Sequence, residues 1–441
     1  MKAILFLLSF GAWMGGLVFH TATHAAPISF EDLWVKVRTR SPELGAQVSR
    51  VDAAEQASTR ADLHWAPRLF VDGRVFSTND PGMNLFSNLG QRAIQASDFL
   101  PALLNQPGTH AFFTALVGLD VPIFEGGMRV AASRAERKLL EAERVDLIGT
   151  EGAVFSDSAR DYARFISIQS SSARLQEIQQ MLLRVLERYS VGVSSNPVGY
   201  SGLLGLKGLK NRVEAALLQF STERNSVRSS FAHRAALEES DWMPAPQTLE
   251  AFLAKHLPRP SGKQISTREK SAMLRSEALS DWVSGERARF LPKIGLFGSE
   301  NLTVGSRAQA TSTTVGLYLR WSLFDPENWG RVAEQASREQ SSRRMAEAAA
   351  LEQRVGEESL LSNDQTFEDN RKLLLDSERL LSEQSRVAFR LFQSGAIQAL
   401  QLAEVLNRRV DLVMNLKTLE DQWTQVRSDL KKRSSFEGNS I

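Results

Sequence analysis

The 441-residue sequence contains no cysteine, so disulfide bonds play no part in its stability and packing alone must hold the fold together. An excess of charge of one sign is also missing. The 53 basic and 51 acidic side chains leave a net charge of +2, and basic residues alternate with acidic ones. This balance argues against nucleic acid and against a strongly acidic substrate as partners.

Motifs that carry catalytic chemistry are missing as well. The chain has no HExxH, no GxSxG and no phosphate-binding loop with a GK[ST] ending. Four of its histidines are far apart in the sequence, namely His64, His110, His233 and His256, and the other two, His20 and His24, lie in the first 26 residues. We therefore expect no enzyme activity, no cofactor and no metal site.

Long hydrophobic runs are confined to the first residues. Residues 1–26 combine Lys2, an apolar stretch over 4–18 and a Thr-His-Ala sequence before Ala26, which is typical of a secretory signal peptide. The alternative is an uncleaved anchor helix, although the apolar stretch is shorter than the ~20 residues that a span requires. We expect an exported chain without a later membrane-spanning helix.

Two short segments alternate between apolar and polar or small residues, with Leu116 as the exception, and then change to a helical pattern. In residues 115–123 the odd positions are apolar, and most even positions are small or polar. The sequence FEGG follows, and a long run without proline begins at Met128. The same plan recurs in residues 315–323, followed by FDP and a second long helical run from about Gly330. The chain is therefore predicted to be an internal repeat of one plan.

This repeat predicts the following domain organisation. The first structural repeat covers 27–241 and holds a helix, two strands and a long helical hairpin, with a loop-like segment over 78–112. A proline-rich connector covers 242–265, the second repeat 266–432, and a polar tail 433–441. The long helices are expected over 128–190, 199–240, 330–393 and 400–432.

Each repeat supplies two strands of about 10 residues, the length that crosses a bilayer when tilted. Four strands cannot close into a barrel, and an open sheet edge in lipid leaves backbone groups without partners. Other subunits must therefore complete the barrel, and three copies give twelve strands around an aqueous lumen. A soluble sandwich is the alternative. The side chains predicted to face the lumen are Asp72, Arg74, Asp120, Tyr318 and Arg320.

Short motifs mark the joints and turns of both halves. They are Pro67 and Pro292 before the strands, 121–127 (VPIFEGG), its counterpart 321–325 (WSLFD), and the turns Tyr189 to Gly192 and Phe392 to Gly395. Together they resemble the TolC-like outer-membrane efflux family. The resemblance implies an α+β membrane protein, a homotrimer in which a 12-stranded β-barrel is continued by a long α-helical barrel across the periplasm.

The same resemblance implies partners at the hairpin tips. A periplasmic adaptor (membrane fusion protein) engages the tips, here Tyr189, Gly192, Phe392 and Gly395, and an inner-membrane pump supplies the energy. Outer-membrane lipid surrounds the barrel. The first tip departs from the family pattern because Asn196-Pro197 and several glycines follow it.

The gate residues also follow from the resemblance. Some family members narrow the closed tip with acidic residues after the second hairpin turn, and the matching positions are Gln401 and Glu404. Three copies of Glu404 around one axis form an acidic ring that favours cations. A solvated helix-surface position is the alternative for Glu404. Arg390 is expected to link neighbouring hairpins.

These expectations predict a passive outer-membrane channel, the exit duct of a tripartite efflux system for small molecules. A type I protein-secretion duct shares this architecture. The third possibility is a periplasmic coiled-coil scaffold without a pore.

Overall fold

The computed structural model describes residues 26–188, 197–235, 242–260 and 265–433. The signal peptide and the polar tail fall almost entirely outside these ranges and stay predictions. The strands are β1 (Ala26–Ile28), β2 (Arg68–Thr78), β3 (His110–Glu125), β4 (Trp242–Pro244), β5 (Lys293–Gly305) and β6 (Gln309–Arg320). The helices are α1 (Phe30–Arg40), α2 (Pro42–Asp62), α3 (Pro81–Gly90), α4 (Pro101–Asn105), α5 (Met128–Arg188), α6 (Pro197–Ala235), α7 (Leu249–His256), α8 (Thr267–Arg287), α9 (Pro326–Gln393) and α10 (Ala399–Arg433).

The four long strands form one antiparallel sheet in the order β2-β3-β5-β6. Its register sets Val71 opposite Val117 and Leu296 opposite Leu317, so the aliphatic residues of all four strands share one side. We call this side the apolar face. The other side, here the polar face, carries the residues predicted to face a lumen.

Both outer strands of this sheet have a free side. Within the described ranges β2 pairs only with β3, and β6 pairs only with β5. The apolar face is also uncovered: Val71 is 71% exposed, Val75 81% and Val315 78%. An unpaired strand edge is a template for pairing with another strand, and a large exposed aliphatic surface is typical of an interaction site, so this sheet has both edges and one face available for contacts outside the chain.

The helices run away from the sheet and pack side by side. Helix α5 contacts α2, α6, α8 and α10, and α9 packs chiefly on α8 and α10. An aromatic core around Phe30, Tyr162 and Trp242 joins α1, α5 and the short parallel pair β1-β4. Throughout the described part of the chain, no helix is apolar over enough length to cross a bilayer.

Local capping explains where the helices next to the sheet begin. Between β3 and α5, Gly126 and Gly127 adopt φ of +68° and +86°, and a Cβ at Gly126 would collide with the carbonyl oxygen of Ala288. In the second half no glycine pair is needed, because the Asp325 carboxylate accepts a hydrogen bond from the Glu327 backbone N–H at 3.1 Å. Pro326 occupies the first turn, so α9 starts four residues before the predicted position.

Two segments contain more structure than the sequence patterns indicated. The loop-like segment 78–112 holds α3 and α4, and α3 begins where Asp80 accepts a hydrogen bond from the Met83 N–H at 2.7 Å. The connector over 242–265 holds β4 and α7, with Thr248 as the helix cap. These helices are short, and a short helix lacks the repeated apolar stripe from which a sequence pattern is recognised.

Candidate functional site: the polar face and the hairpin tip

The predicted lumen residues lie together on the polar face. The Arg74 guanidinium donates to the Asp72 carboxylate at 2.8 Å within β2. Across the sheet, the Tyr318 hydroxyl donates to Asp120 at 3.2 Å, and the Arg320 guanidinium lies 5.9 Å from the centre of the Tyr318 ring. The five side chains therefore form two charged groups at different depths of one surface.

Aromatic rings interrupt the polar character of this face. Phe70 lies over Gly118, its neighbour on the adjacent strand, and Tyr318 lies over Gly295 in the same way. Phe297 covers Gly316. A ring that folds across a glycine on the next strand fills the space where a side chain is missing. The glycines therefore let these rings lie flat against the strands.

The second hairpin tip is a well-defined helix ending. Gly395 has φ +79° and donates its N–H to the Phe392 carbonyl at 3.0 Å, while the Ala396 N–H bonds to the Leu391 carbonyl at 2.9 Å. These two bonds form a Schellman motif, which satisfies the last carbonyls of α9. Phe392 packs against the apolar core between the hairpins. The other two predicted tip residues, Tyr189 and Gly192, lie outside the described residues.

The predicted gate residues have local partners in this structure. The Gln401 side chain accepts a hydrogen bond from the Gln398 backbone N–H at 3.0 Å and so caps the start of α10. Glu404 pairs with Arg408 one turn later at 2.5 Å, and both side chains are more than half exposed. The Arg390 side chain has no ion-pair partner among the described residues. A role of these residues in gating stays a prediction.

A groove runs beside Glu404 between α6 and α10. Its volume is about 450 Å³, and Gly205, Gly208 and Leu400 form part of its wall. The glycines add no side chain to the α6 wall of the groove. A Cβ at Gly208 would project into open space, with nothing within 4 Å. The sequence pattern indicated only that glycines are dense in this helix, and the structure shows that they border a groove.

Arg409 is a residue that the sequence patterns did not single out. It is 1% exposed and donates from α10 to Glu177 of α5 at 2.6 Å and to Glu378 of α9 at 3.0 Å. We call these three residues the Arg409 clamp. The clamp joins the two helical hairpins 10 to 15 residues from the tip ends of its three helices, or about 15–22 Å along a helix.

The electrostatics of the clamp favour its charged form. Burial by itself raises the pKa of Glu177, but the hydrogen bond and charge of Arg409 and the charge of Arg386 bring this pKa below its ordinary value. A signal for Arg409 was present in the sequence. It lies three residues after Leu406 and four before Val413, on the buried stripe of α10, whereas Arg408 lies off that stripe.

A second buried charge network lies near the aromatic core. The Asp364 carboxylate of α9 is fully buried and accepts hydrogen bonds from Arg427, from Arg259 of the connector and, at 2.8 Å, from the Trp423 indole. Seven residues closer to the tip on α9, Arg371 donates a hydrogen bond to Glu420 at 2.9 Å. These pairs tie α9, α10 and the connector together. In the described ranges no cluster of acidic and histidine side chains could hold a metal ion.

The fold is similar to the folds of several solved outer-membrane proteins. The Campylobacter jejuni CmeC outer membrane channel matches with a TM-score of 0.76 at 10% identity, covering 99% of this chain and 96% of that one. The outer membrane protein VceC from Vibrio cholerae matches with a TM-score of 0.72 at 15% identity, covering 92% of this chain and 97% of that one. The open-state MtrE outer membrane channel of Neisseria gonorrhoeae matches with a TM-score of 0.71 at 13% identity, covering 92% of this chain and 88% of that one.

No protein-family model matches the sequence, and no curated protein is significantly similar to it. The structural matches are nevertheless close over almost the whole chain. The chain therefore has the fold of the TolC-like outer-membrane efflux channels, and the resemblance drawn from its sequence motifs is confirmed at the level of the fold.

Proposed function

We propose that this protein is a passive outer-membrane exit duct of an efflux system, formed by three copies of the chain. The observation that carries the proposal is the four-stranded sheet with one aliphatic face, one largely polar face and two free edges. In lipid, backbone groups at a free edge cost several kcal/mol each, so such a sheet must be closed by identical neighbours.

Three copies suit the two faces of the sheet. Twelve strands enclose a water-filled lumen, lined by the polar face with Asp72, Arg74, Asp120, Tyr318 and Arg320, while the apolar face meets outer-membrane lipid. Two copies would give eight strands, whose interior is filled by side chains. The exposed charges of the polar face argue for the wider, hydrated barrel.

The helical part supports the same assembly. On α9, Leu373, Leu380 and Val387 recur every seven residues and are 68%, 52% and 41% exposed. Seven-residue spacing of apolar side chains is typical of a seam between helices that pack side by side. Since α9 already contacts α8 and α10 on its other sides, this seam fits a helix of the neighbouring copy and continues the barrel as a tunnel.

The tip would be the controlled end of this duct. The capped turn with Phe392 and Gly395, the groove beside Glu404 and the Arg409 clamp lie at the end of the helices farthest from the sheet. A periplasmic adaptor docking there would separate the hairpins, and an inner-membrane pump would drive transport. The described residues contain no nucleotide-binding loop, so energy has to come from a partner.

Conductance in a planar bilayer tests the proposal. The purified protein should give few openings, and the variant with Arg390→Ala and Glu404→Ala should open more often, because charges that narrow or link the tips are removed. The matched control is Arg379→Ala. It breaks the ion pair between Arg379 and Asp376, which is about as exposed as the pair between Glu404 and Arg408 but lies farther from the tip on α9. Absence of conductance from wild type and tip variant alike would favour the coiled-coil scaffold.

A further inference from the structure

Helix α3, in the segment between β2 and β3, has its polarity reversed. Its buried side consists of Asn84, Asn88 and the following Gln91, which are 3%, 9% and 1% exposed. Its exposed side consists of Met83, Phe86 and Leu89, which are 48%, 70% and 56% exposed. An ordinary surface helix buries its apolar stripe and exposes its polar side to water. The exposed apolar side of α3 is therefore typical of a contact surface for a partner.

The buried side of α3 lies on the polar face of the sheet. A Cβ at Gly90 would lie 3.2 Å from the Thr303 hydroxyl, and the Gln91 amide covers Gly305. Thr303 stands opposite Thr114, which stands opposite Arg74, so all three residues belong to the polar face. Thr303 is accordingly only 5% exposed. The helix therefore covers the inner wall of the proposed barrel at the end farthest from the long helices.

Hydrogen bonds fix α3 in this position. The Gln91 side chain accepts from the backbone N–H groups of Arg307 and Ala308, at 3.3 and 3.1 Å, in the turn between β5 and β6. Arg307 also donates to both oxygens of Asp98 at 2.7 and 2.8 Å, and this bond lowers the pKa of Asp98 to about 2. Polar groups thus hold the segment on the sheet.

The geometry of the barrel determines what the apolar side meets. Twelve strands spaced about 4.8 Å apart and tilted by about 40° give a cylinder of about 12 Å radius. A helix about 10 Å across, lying on the inner wall, occupies most of that radius. Because the polar side of α3 is bound to the wall, its apolar side points toward the axis, where the same helix of the other two copies arrives.

We propose that the three α3 helices meet on the axis and form a hydrophobic gate at the outer mouth of the duct, with Met83, Phe86 and Leu89 as its contact residues. This inference rests on the proposed trimeric barrel. A constriction lined by apolar side chains excludes water and therefore ions, without any charged residue. The duct then has two barriers in series, one at the periplasmic tip and one at the exit.

Cysteine cross-linking tests the gate in a chain that has no cysteine of its own. Phe86→Cys and, as a second site, Met83→Cys are treated with a short bismaleimide in mild detergent, and covalent dimers are measured on a denaturing gel. The matched control is Val315→Cys, which is equally exposed but lies on the apolar outer face. The mass of each variant in the same detergent is measured in parallel.

The gate predicts covalent dimers at positions 83 and 86 and none at 315, with the trimer mass unchanged. A trimer that forms no dimers at either position would overturn the gate and leave the duct intact. If a fluorophore attached to the Phe86→Cys variant is instead quenched by brominated lipid, the helix faces the bilayer and the gate is wrong. A monomer mass would remove both the gate and the proposed function.

Discussion

Replacement of Arg409 by methionine should loosen the packing of the two helical hairpins near the tip. Methionine fills a similar volume but leaves Glu177 and Glu378 without their shared cation. Removing one partner of a buried ion pair costs about 3–5 kcal/mol. Glu177 keeps 36% of its side chain in water and retains Arg386 at 3.6 Å, so we expect the lower end of this range, about 3 kcal/mol.

Hydrogen exchange measured by mass spectrometry gives the local free energy of opening in the first half of α10. A loss of about 3 kcal/mol corresponds to roughly a hundredfold increase in the opening equilibrium. The control is the adjacent Arg408→Met, which breaks only an exposed pair with Glu404 and should cost under about 0.5 kcal/mol. Equal and small changes in the two variants would refute the clamp.

The clamp also predicts a pH dependence. The pKa of Glu177 is lowered in the folded protein, so its contribution to stability is complete above the ordinary glutamate pKa of about 4.3 and is lost as the pH falls through the lower folded value. The difference in protection between wild type and Arg409→Met should therefore shrink below about pH 4. A difference that stays constant from about pH 7 to about pH 3 would contradict this assignment.

Two further predictions concern other joints. Asp364→Ala removes the carboxylate bonded to the buried Arg427, which among the described residues keeps only the Glu368 carboxylate, at 3.7 Å. It should lower the midpoint of thermal unfolding and cost about 3 kcal/mol in free energy, whereas Asp376→Ala removes only an exposed pair on the same helix and should cost under about 0.5 kcal/mol. Gly126→Ala should reduce the yield of folded protein more than Gly127→Ala. At either position an alanine must adopt a positive φ, which costs about 1 kcal/mol. Of the two, only position 126 also lacks room for a Cβ. Indistinguishable unfolding midpoints or yields within either pair would count against the packing described here.

The strands and long helices could be predicted from the sequence because each follows from a local signal. Alternation over 115–123 and 315–323 can be recognised without knowing which strands lie alongside. The 61-residue and 68-residue helices follow from long runs that contain no proline after the first residue. Helix α3 could not be predicted in this way. Its buried side is polar, and Asn84 and Asn88 are typical of loops.

Buried charges were missed for a related reason. Arg408 and Arg409 are identical side chains next to each other, yet one is exposed and the other enclosed by two carboxylates. Their difference depends on where α5 and α9 lie relative to α10. Asp364 is similar, since its donors come from residues 59 to 105 positions away along the chain. Sequence spacing over one helix carries no information about such contacts.

The mass of the oligomer, extracted from the outer-membrane fraction in mild detergent, tests the central claim most directly. The free edges of β2 and β6 require neighbouring copies, and the charged polar face requires the wider, hydrated barrel, so the account predicts three chains in each particle. A single chain recovered from the aqueous fraction, with its apolar face packed against its own helices, would contradict the account.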